Sequence, residues 1–146
     1  MKDIASNKKA YFEYEILDKH EAGLELLGTE VKSARSGQVS LSDSYVTVHN
    51  KELYLINAFF APYKYSKAEI DSRRSRKILM HKKEIVKLIA KIKEKGLTIV
   101  PTKMYFKHNV LKVEIAVGKG KRQFEKRETI KKRESEREIR RKIGKQ

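Results

Sequence analysis

Alternating apolar and polar side chains predict three strand segments in the first part of the chain. The run over 10–17 contains Tyr and Phe side chains and is typical of a strand. Positions 45–48 are mostly β-branched or aromatic, positions 53–56 are again apolar and aromatic, and the polar residues 49–51 separate them. The second and third segments are therefore predicted to form a β-hairpin.

A second hairpin is predicted in the last third of the chain. Residues 97–107 are rich in β-forming side chains, and the pair 108–109, His and Asn, supplies a turn. Apolar groups then recur at every second position over 111–117, whereas Lys112 and Glu114 point to the other face. This period of two indicates a strand with one buried face.

Two segments show helical signals instead. Residues 28–36 contain a short helical candidate, which Gly37 ends. A longer helix is predicted over 81–95, where basic residues cover one face and Gly96 follows the last helical position. Its apolar side chains recur at i, i+3, i+4 and i+7, in Ile85, Leu88, Ile89 and Ile92. We expect this helix to close one end of the β structure.

Short strands separated by turns, without a regular β-α-β alternation, favour antiparallel pairing over a parallel sheet. The fold class is therefore predicted as mainly β with helices (α+β): an OB-like, partly open antiparallel β-barrel with flanking helices. Barrels of this kind commonly bind nucleic acid on a strand face and in adjoining loops, but that inference rests on analogy of fold. Specific residues have to carry the function.

Charge adds a second region to this picture. The 146-residue chain carries 35 Lys and Arg against 19 Asp and Glu, and the net charge of +16 implies a polyanionic partner or a membrane surface. Residues 118–146 contain 13 of the basic and 5 of the acidic side chains, and their few apolar side chains cannot bury a core. We therefore expect a folded barrel over 1–117 and a basic C-terminal tail over 118–146 that is disordered when free.

The composition also argues against several classes of protein. The chain has no cysteine, and its four histidines are scattered singly, so neither a metal site nor a cofactor is expected. No apolar run approaches the ~20 residues of a membrane-spanning helix, and the N-terminus, with the acidic Asp3 and no apolar stretch, is unlike a secretory signal. We expect a cytoplasmic protein that does not bind a membrane.

Catalytic motifs are not found either. The segment GKGK over 118–121 lacks the spacing of a phosphate-binding loop, and no apolar helix follows it. No pair of carboxylates can be placed in a pocket from the sequence, as acid-base catalysis would require. The sequence therefore favours a binding protein over an enzyme.

Short motifs recur along nearly the whole chain in a specific order. They are NKKA at 7–10, YEI at 14–16, EAGL at 21–24, GTEVKS at 28–33 followed by Arg35, SDSYV at 42–46, APY at 61–63, RKILMH at 76–81, KG at 95–96 with Pro101, YFK at 105–107, KGKR at 119–122 and EKR at 125–127. Each motif is weak alone. In this order and spacing, the set resembles the tmRNA-binding protein family of bacteria, also called small protein B or SsrA-binding protein.

Three positions depart from the family pattern. Ser72 follows Asp71 where the family often has Pro, and Glu125 replaces the more usual Asp. Phe124 stands where some members have His, so a role that needs an ionisable ring fails here, whereas a stacking role survives.

The resemblance implies a function in trans-translation, without catalysis by the protein itself. A member of this family binds tmRNA, an RNA that is part tRNA and part messenger, and delivers it to ribosomes stalled without a stop codon. The barrel would grip the tRNA-like domain, while the tail would occupy the empty messenger channel near the decoding centre of the small subunit. The protein is expected to be a monomer when free.

Seven residues of the barrel are candidates for contact with tmRNA. Their cations suit phosphates, the Tyr suits stacking on an unpaired base, and Asn or Glu suits hydrogen bonds to base edges or a 2′-hydroxyl. The candidates are Glu30, Lys32, Arg35, Tyr105, Lys107, Asn109 and Lys112. The alternative for Glu30 is a helix-surface carboxylate paired with a Lys.

The tail contributes the candidates for contact with the ribosome. Gly118 and Gly120 are expected to form a swivel, and i, i+4 charge pairs indicate a helix that forms only on the ribosome. Phe124 is expected to stack on a base. The candidates are Lys119, Lys121, Arg122, Phe124, Lys126, Arg127, Lys131, Arg133 and Arg137. The alternative is an arm that binds any RNA.

Two other functions compete with this interpretation. A structural ribosomal protein would also combine a small barrel with a basic extension, but it would stay on ribosomes through high-salt washing. A nucleic-acid-modifying enzyme would need a metal or nucleophile constellation that we do not find.

Overall fold

The computed structural model describes residues 3–63 and 69–121. Three helices and nine strands lie in these ranges. In chain order they are β1 (Asp3–Ser6), α1 (Lys8–Glu13), β2 (Tyr14–Leu24), α2 (Gly28–Arg35), β3 (Val39–Ser40), β4 (Tyr45–His49), β5 (Glu52–Ile56), β6 (Phe59–Phe60), β7 (Arg76–Leu79), α3 (Lys82–Lys95), β8 (Thr98–Lys107) and β9 (Val110–Gly120).

Seven strands form one antiparallel sheet in the order β1-β8-β9-β2-β7-β5-β4, and β3 pairs with β6 separately. The register shifts between Ile16 and Asp18 in β2 and between Pro101 and Lys103 in β8, which are the irregularities that curve a sheet. The described strands form a sheet that does not close. The predicted OB-like, partly open antiparallel barrel with flanking helices is therefore confirmed.

Both predicted hairpins are confirmed. In each, a two-residue turn in the left-handed conformation joins the two strands. The central residues of the first turn are Asn50 (φ 50°) and Lys51 (φ 63°). Those of the second are His108 (φ 49°) and Asn109 (φ 66°). Positive φ at both positions gives the twist that matches two antiparallel strands, and Asn tolerates it better than most residues.

The two predicted helices are also present. Gly37 (φ 70°) follows the end of α2, and Gly96 (φ 63°) caps α3 in the left-handed conformation. The α3 side chains Ile85 and Leu88 are buried in the main core, and Ile89 and Ile92 pack against it. The 3.6-residue spacing of these four side chains thus covers one side of the barrel core.

The predicted strand over 10–17 is wrong in its first half. Lys8–Glu13 forms α1, and the strand begins only at Tyr14. The helix buries Ala10 against Val100 and Ala116 on the outside of the sheet, and a small side chain allows that close packing. Strand propensity of Tyr and Phe was overridden by this tertiary contact. The short strand β1 was not predicted.

The predicted swivel at Gly118 and Gly120 is also wrong. β9 continues beyond Val117, with Gly118 opposite Ile16 and Gly120 opposite Tyr14 in β2. Both glycines are therefore part of the barrel sheet, and β9 runs three residues past the expected boundary.

Candidate RNA-binding surface

The C-terminal turn of α2 meets the β8–β9 turn at one end of the barrel. Arg35 Nη1 donates a hydrogen bond to Asn109 Oδ1 at 2.9 Å. The Arg35 guanidinium also lies 4.9 Å from the centre of the Phe106 ring, a cation–π distance. Arg35 and Asn109 both remain exposed, so a phosphate or a base edge can reach them.

Lys32 extends this patch along α2. It precedes Arg35 by almost one helical turn, and residues at that spacing share a helix face. The Lys32 ammonium lies 4.7 Å from the centre of the Tyr63 ring. Beside it is a cavity of about 90 Å³ whose lining includes Thr29, Pro62 and Tyr63. The helix therefore presents two cations, and Lys32 lies beside a cavity lined in part by Tyr63.

Strands β8 and β9 add Lys107 and Lys112 to the same end. Lys107 is the last residue of β8 before the turn, and Lys112 lies directly opposite Tyr105 in the neighbouring strand. Directly opposite residues share one face of a sheet. Arg35 covers Phe106 on the opposite face of the hairpin. We name the set of residues around this turn, on both faces, the hairpin-end surface: Lys32, Arg35, Lys107, Asn109 and Lys112.

Tyr105 is not exposed in the way that the predicted stacking on a base requires. Only 6% of the residue is exposed, and its hydroxyl donates a hydrogen bond to the Glu21 carboxylate. Lys107 Nζ contacts the other oxygen of that carboxylate at 3.4 Å. The hydrogen bond from Tyr105 holds the pKa of Glu21 below its usual range, and burial raises the pKa of Tyr105. Tyr105 therefore orients Glu21 and Lys107.

Glu30 is not a surface carboxylate, either for bases or for a lysine. Its side chain is 4% exposed, and both oxygens are occupied. Oε1 accepts hydrogen bonds from the Leu27 N–H at 2.9 Å and from Arg74 Nη2. Oε2 accepts from Arg74 Nε at 3.1 Å and from Arg76 Nε at 2.7 Å. Burial alone would raise the pKa of Glu30, but these donors hold it below its usual value.

Arg76 is the buried centre of this cluster, and sequence analysis missed it. The residue has 0% exposure, and its guanidinium lies 4.1 Å from the centre of the Phe60 ring. Besides Glu30, it donates to the carbonyl oxygens of Ala58 at 2.7 Å and Ser72 at 3.1 Å. Arg76 lies on the same face of β7 as the buried Ile78, and this inward position, two residues before an apolar one, was a signal in the sequence. The cluster ties α2 to β7.

The other end of β9 carries the first predicted tail residues. Lys119 is exposed opposite Glu15 in β2. Lys121, the last described residue, donates its backbone N–H to the Glu13 carbonyl oxygen at 2.9 Å. The remaining tail candidates lie outside the described residues: Arg122, Phe124, Lys126, Arg127, Lys131, Arg133 and Arg137.

Within residues 3–63 and 69–121, no group of three or more His, Cys, Asp or Glu side chains could hold a metal ion. In the same ranges, no helix combines the length and the apolar character that crossing a bilayer requires.

Comparisons with known proteins cover nearly the whole chain. Residues 4–145 match the family model described as SmpB protein. The SsrA-binding protein of Persephonella marina is 51% identical over 140 residues, which is 95% of this chain and 92% of that protein. The SsrA-binding protein of a Sulfurihydrogenibium species is 53% identical over 139 residues, which is 94% of this chain and 91% of that protein.

The fold is similar to a chain in a solved structure described as "tmRNA-SmpB: a journey to the center of the bacterial ribosome". The TM-score is 0.67 and the identity 44%, and the match covers 86% of this chain and 92% of the other. The order of motifs, the barrel and the family model all agree. The chain therefore belongs to the SmpB, or SsrA-binding protein, family.

Proposed function

We propose that this protein binds tmRNA and delivers it to stalled ribosomes for trans-translation. The barrel holds the tRNA-like domain, and the tail enters the empty messenger channel near the decoding centre. The protein acts in the cytoplasm as a monomer before binding, and it catalyses no reaction. The names of its relatives and the tmRNA–SmpB likeness support the partners.

The observation that carries the proposal for the barrel is the junction between Arg35 and Asn109. Two residues far apart in sequence are joined by a 2.9 Å hydrogen bond on an exposed surface. Fixing Asn109 Oδ1 orients its amide group, and Arg35 keeps a positive charge beside it. This combination suits a phosphate next to an unpaired base, as found in the loops of a structured RNA.

Lys32, Lys107 and Lys112 extend the positive potential around that junction. Lys107 is partly neutralised by Glu21 at 3.4 Å, so it contributes less than an isolated lysine. The cluster of Glu30, Arg74 and Arg76 ties α2 to β7 and so holds in place the helix that carries Lys32 and Arg35. Glu30 is therefore proposed as a positioning residue for RNA binding.

The tail is proposed to contact ribosomal RNA through its cations and through Phe124. The family resemblance supports this assignment, as does the scarcity of apolar residues in 118–146. Base–aromatic stacking contributes ~1–3 kcal/mol per base. The same nine tail residues that the sequence indicates remain the candidates.

Sequencing the RNA that copurifies with the protein tests the proposal directly. We expect one small RNA with a tRNA-like fold to dominate after a wash at moderate salt, and an Arg35→Gln, Asn109→Ala double variant to lose most of it. Copurification of intact ribosomal subunits that resist high salt, without that RNA, would instead identify a structural ribosomal protein.

A further inference from the structure

We propose that helix α1 fixes the direction in which the C-terminal tail leaves the barrel. The inference rests on the proposed function of the tail, and it assigns a positioning role to α1, Gly118 and Lys121. The connection between barrel and tail, expected from the sequence to be a flexible swivel, is then rigid.

Lys121 is held by the last turn of α1 at two points. Its backbone N–H donates to the Glu13 carbonyl oxygen at 2.9 Å, and its Nζ donates to the Tyr11 carbonyl oxygen at 3.0 Å. The last carbonyl groups of a helix have no partner within the helix, so they are free to accept such donors. The first residue after β9 therefore has a defined position.

The barrel in turn holds α1. A helix of six residues is too short to be stable alone, so its position depends on its contacts. Asn7, which precedes it, donates its backbone N–H to the Thr102 carbonyl oxygen at 2.7 Å and Nδ2 to the Pro101 carbonyl oxygen at 2.9 Å. Ala10, 3% exposed, packs against Val100. Strand β8 thus positions the helix.

Gly118 allows β9 to approach the start of β2. A Cβ atom at Gly118 would lie 3.0 Å from Tyr14 Cβ and 3.4 Å from the Glu15 carbonyl oxygen. The φ angle of Gly118 is not positive, so its backbone conformation does not require glycine. The close packing against β2 does. A Cβ atom at Gly120 would meet nothing within 4 Å. The two glycines therefore form a matched pair for an experiment.

This arrangement links the two RNA contacts through one strand. β9 begins at Val110, opposite Lys107, and ends at Gly120, opposite Tyr14. Its 11 residues span about 33 Å at ~3.3 Å per residue. Two linked binding modules reinforce each other only when their geometry permits both contacts at once. A fixed exit direction would therefore place the tail relative to a bound tRNA-like domain.

The experiment compares Gly118→Ala and Gly118→Val with Gly120→Ala in the full-length protein. We expect both Gly118 variants to keep tmRNA affinity within about twofold and to lose tagging of stalled ribosomes by about tenfold, with Val worse than Ala. Gly120→Ala should retain full tagging. Amide exchange at Lys121, read by NMR, should be slow in the wild type and in Gly120→Ala, and faster in Gly118→Val.

Lys121→Met and Lys119→Met provide a second comparison, because each removes one positive charge. The Lys121 variant should lose more tagging activity, since only Lys121 donates to α1 among these two. Provided that the wild type tags stalled ribosomes, any of three results would overturn the positioning role. These are equal losses in the two Lys variants, equal losses in the two Gly→Ala variants, or fast exchange of the Lys121 amide in the wild type. Absence of tmRNA binding and tagging in the wild type would overturn the proposed function itself.

Discussion

The two ends of β9 differ in the kind of contact that they make: one is built from side chains and the other mainly from backbone groups. At the hairpin end, exposed side chains such as Arg35 and Asn109 form a surface, and the backbone serves only to present them. At the tail end, the key contacts are between backbone groups and a close-packed glycine, as at Lys121 and Gly118. The first arrangement suits recognition of RNA. The second suits control of the direction in which the tail leaves the barrel.

This difference predicts which substitutions affect which property. Removing a side chain at the hairpin end should change RNA affinity and leave the barrel intact. Adding a side chain at the tail end should change geometry and leave RNA affinity intact. The cluster around Glu30 holds α2, which carries Lys32 and Arg35, and its loss should affect both stability and binding.

Glu30→Ala is expected to have the largest effect of any single substitution. It leaves the guanidinium of Arg76, with 0% exposure, without its carboxylate, and breaking a buried ion pair costs ~3–5 kcal/mol of the free energy of unfolding. Chemical denaturation should show this loss, and tmRNA affinity should fall with it. Wild-type stability together with a selective loss of cognate RNA would make Glu30 a direct RNA contact.

Phe124→Ala should leave barrel stability and tmRNA affinity unchanged and should reduce tagging on stalled ribosomes. Loss of one base–aromatic contact is expected to cost ~1–3 kcal/mol. Phe124→Tyr and Phe124→His, which keep a planar ring, should retain most of the activity. Equal rescue by Phe124→Leu would contradict stacking, because Leu supplies apolar volume without a π face.

Arg35→Gln should weaken tmRNA binding while stability stays close to wild type. Loss of a hydrogen bond from a charged donor is expected to cost ~1.5–3 kcal/mol of binding free energy. The slope of log K against log salt concentration should decrease in magnitude by about one. Lys83→Gln is the matched control, since it removes one charge from the exposed first turn of α3. Identical losses in both variants would mean that the barrel binds RNA through net charge alone.

Acid should destabilise the barrel through Glu30. Its pKa lies below the ordinary 4.5 in the folded state, so its contribution is complete above the unfolded-state pKa and disappears as pH falls through the folded-state pKa. The melting temperature should be nearly constant down to about pH 5 and should decrease below it. Glu30→Gln should flatten this decrease. Glu52→Gln, at an exposed pair with Lys77, should change it much less.

Local patterns predicted the hairpins, α2 and α3, because their side-chain periods and turn residues are close together in sequence. Contacts between distant residues could not be predicted in this way. Glu30 looked exposed on an amphipathic helix until Arg74 and Arg76 were seen to enclose it. Tyr105 looked available until Glu21 was found beside its hydroxyl.

The same limit explains the errors near the tail. Glycine commonly marks a flexible joint, and the sequence offers no sign that Gly118 packs against Tyr14. Aromatic residues in 11–14 favour a strand, whereas the contact of Ala10 with Val100 and Ala116 selects a helix. Family motifs lie at both ends of the barrel, but they do not distinguish contact residues from positioning residues.

Truncation after Lys121 tests the separation of the two ends most directly. This variant retains β9 and both described contacts of Lys121 with α1. We expect a single cooperative melting transition and wild-type affinity for the tRNA-like domain at moderate salt, together with complete loss of tagging. Loss of that affinity, or retention of tagging, would contradict the assignment of tmRNA to the hairpin end and of the ribosome to the tail.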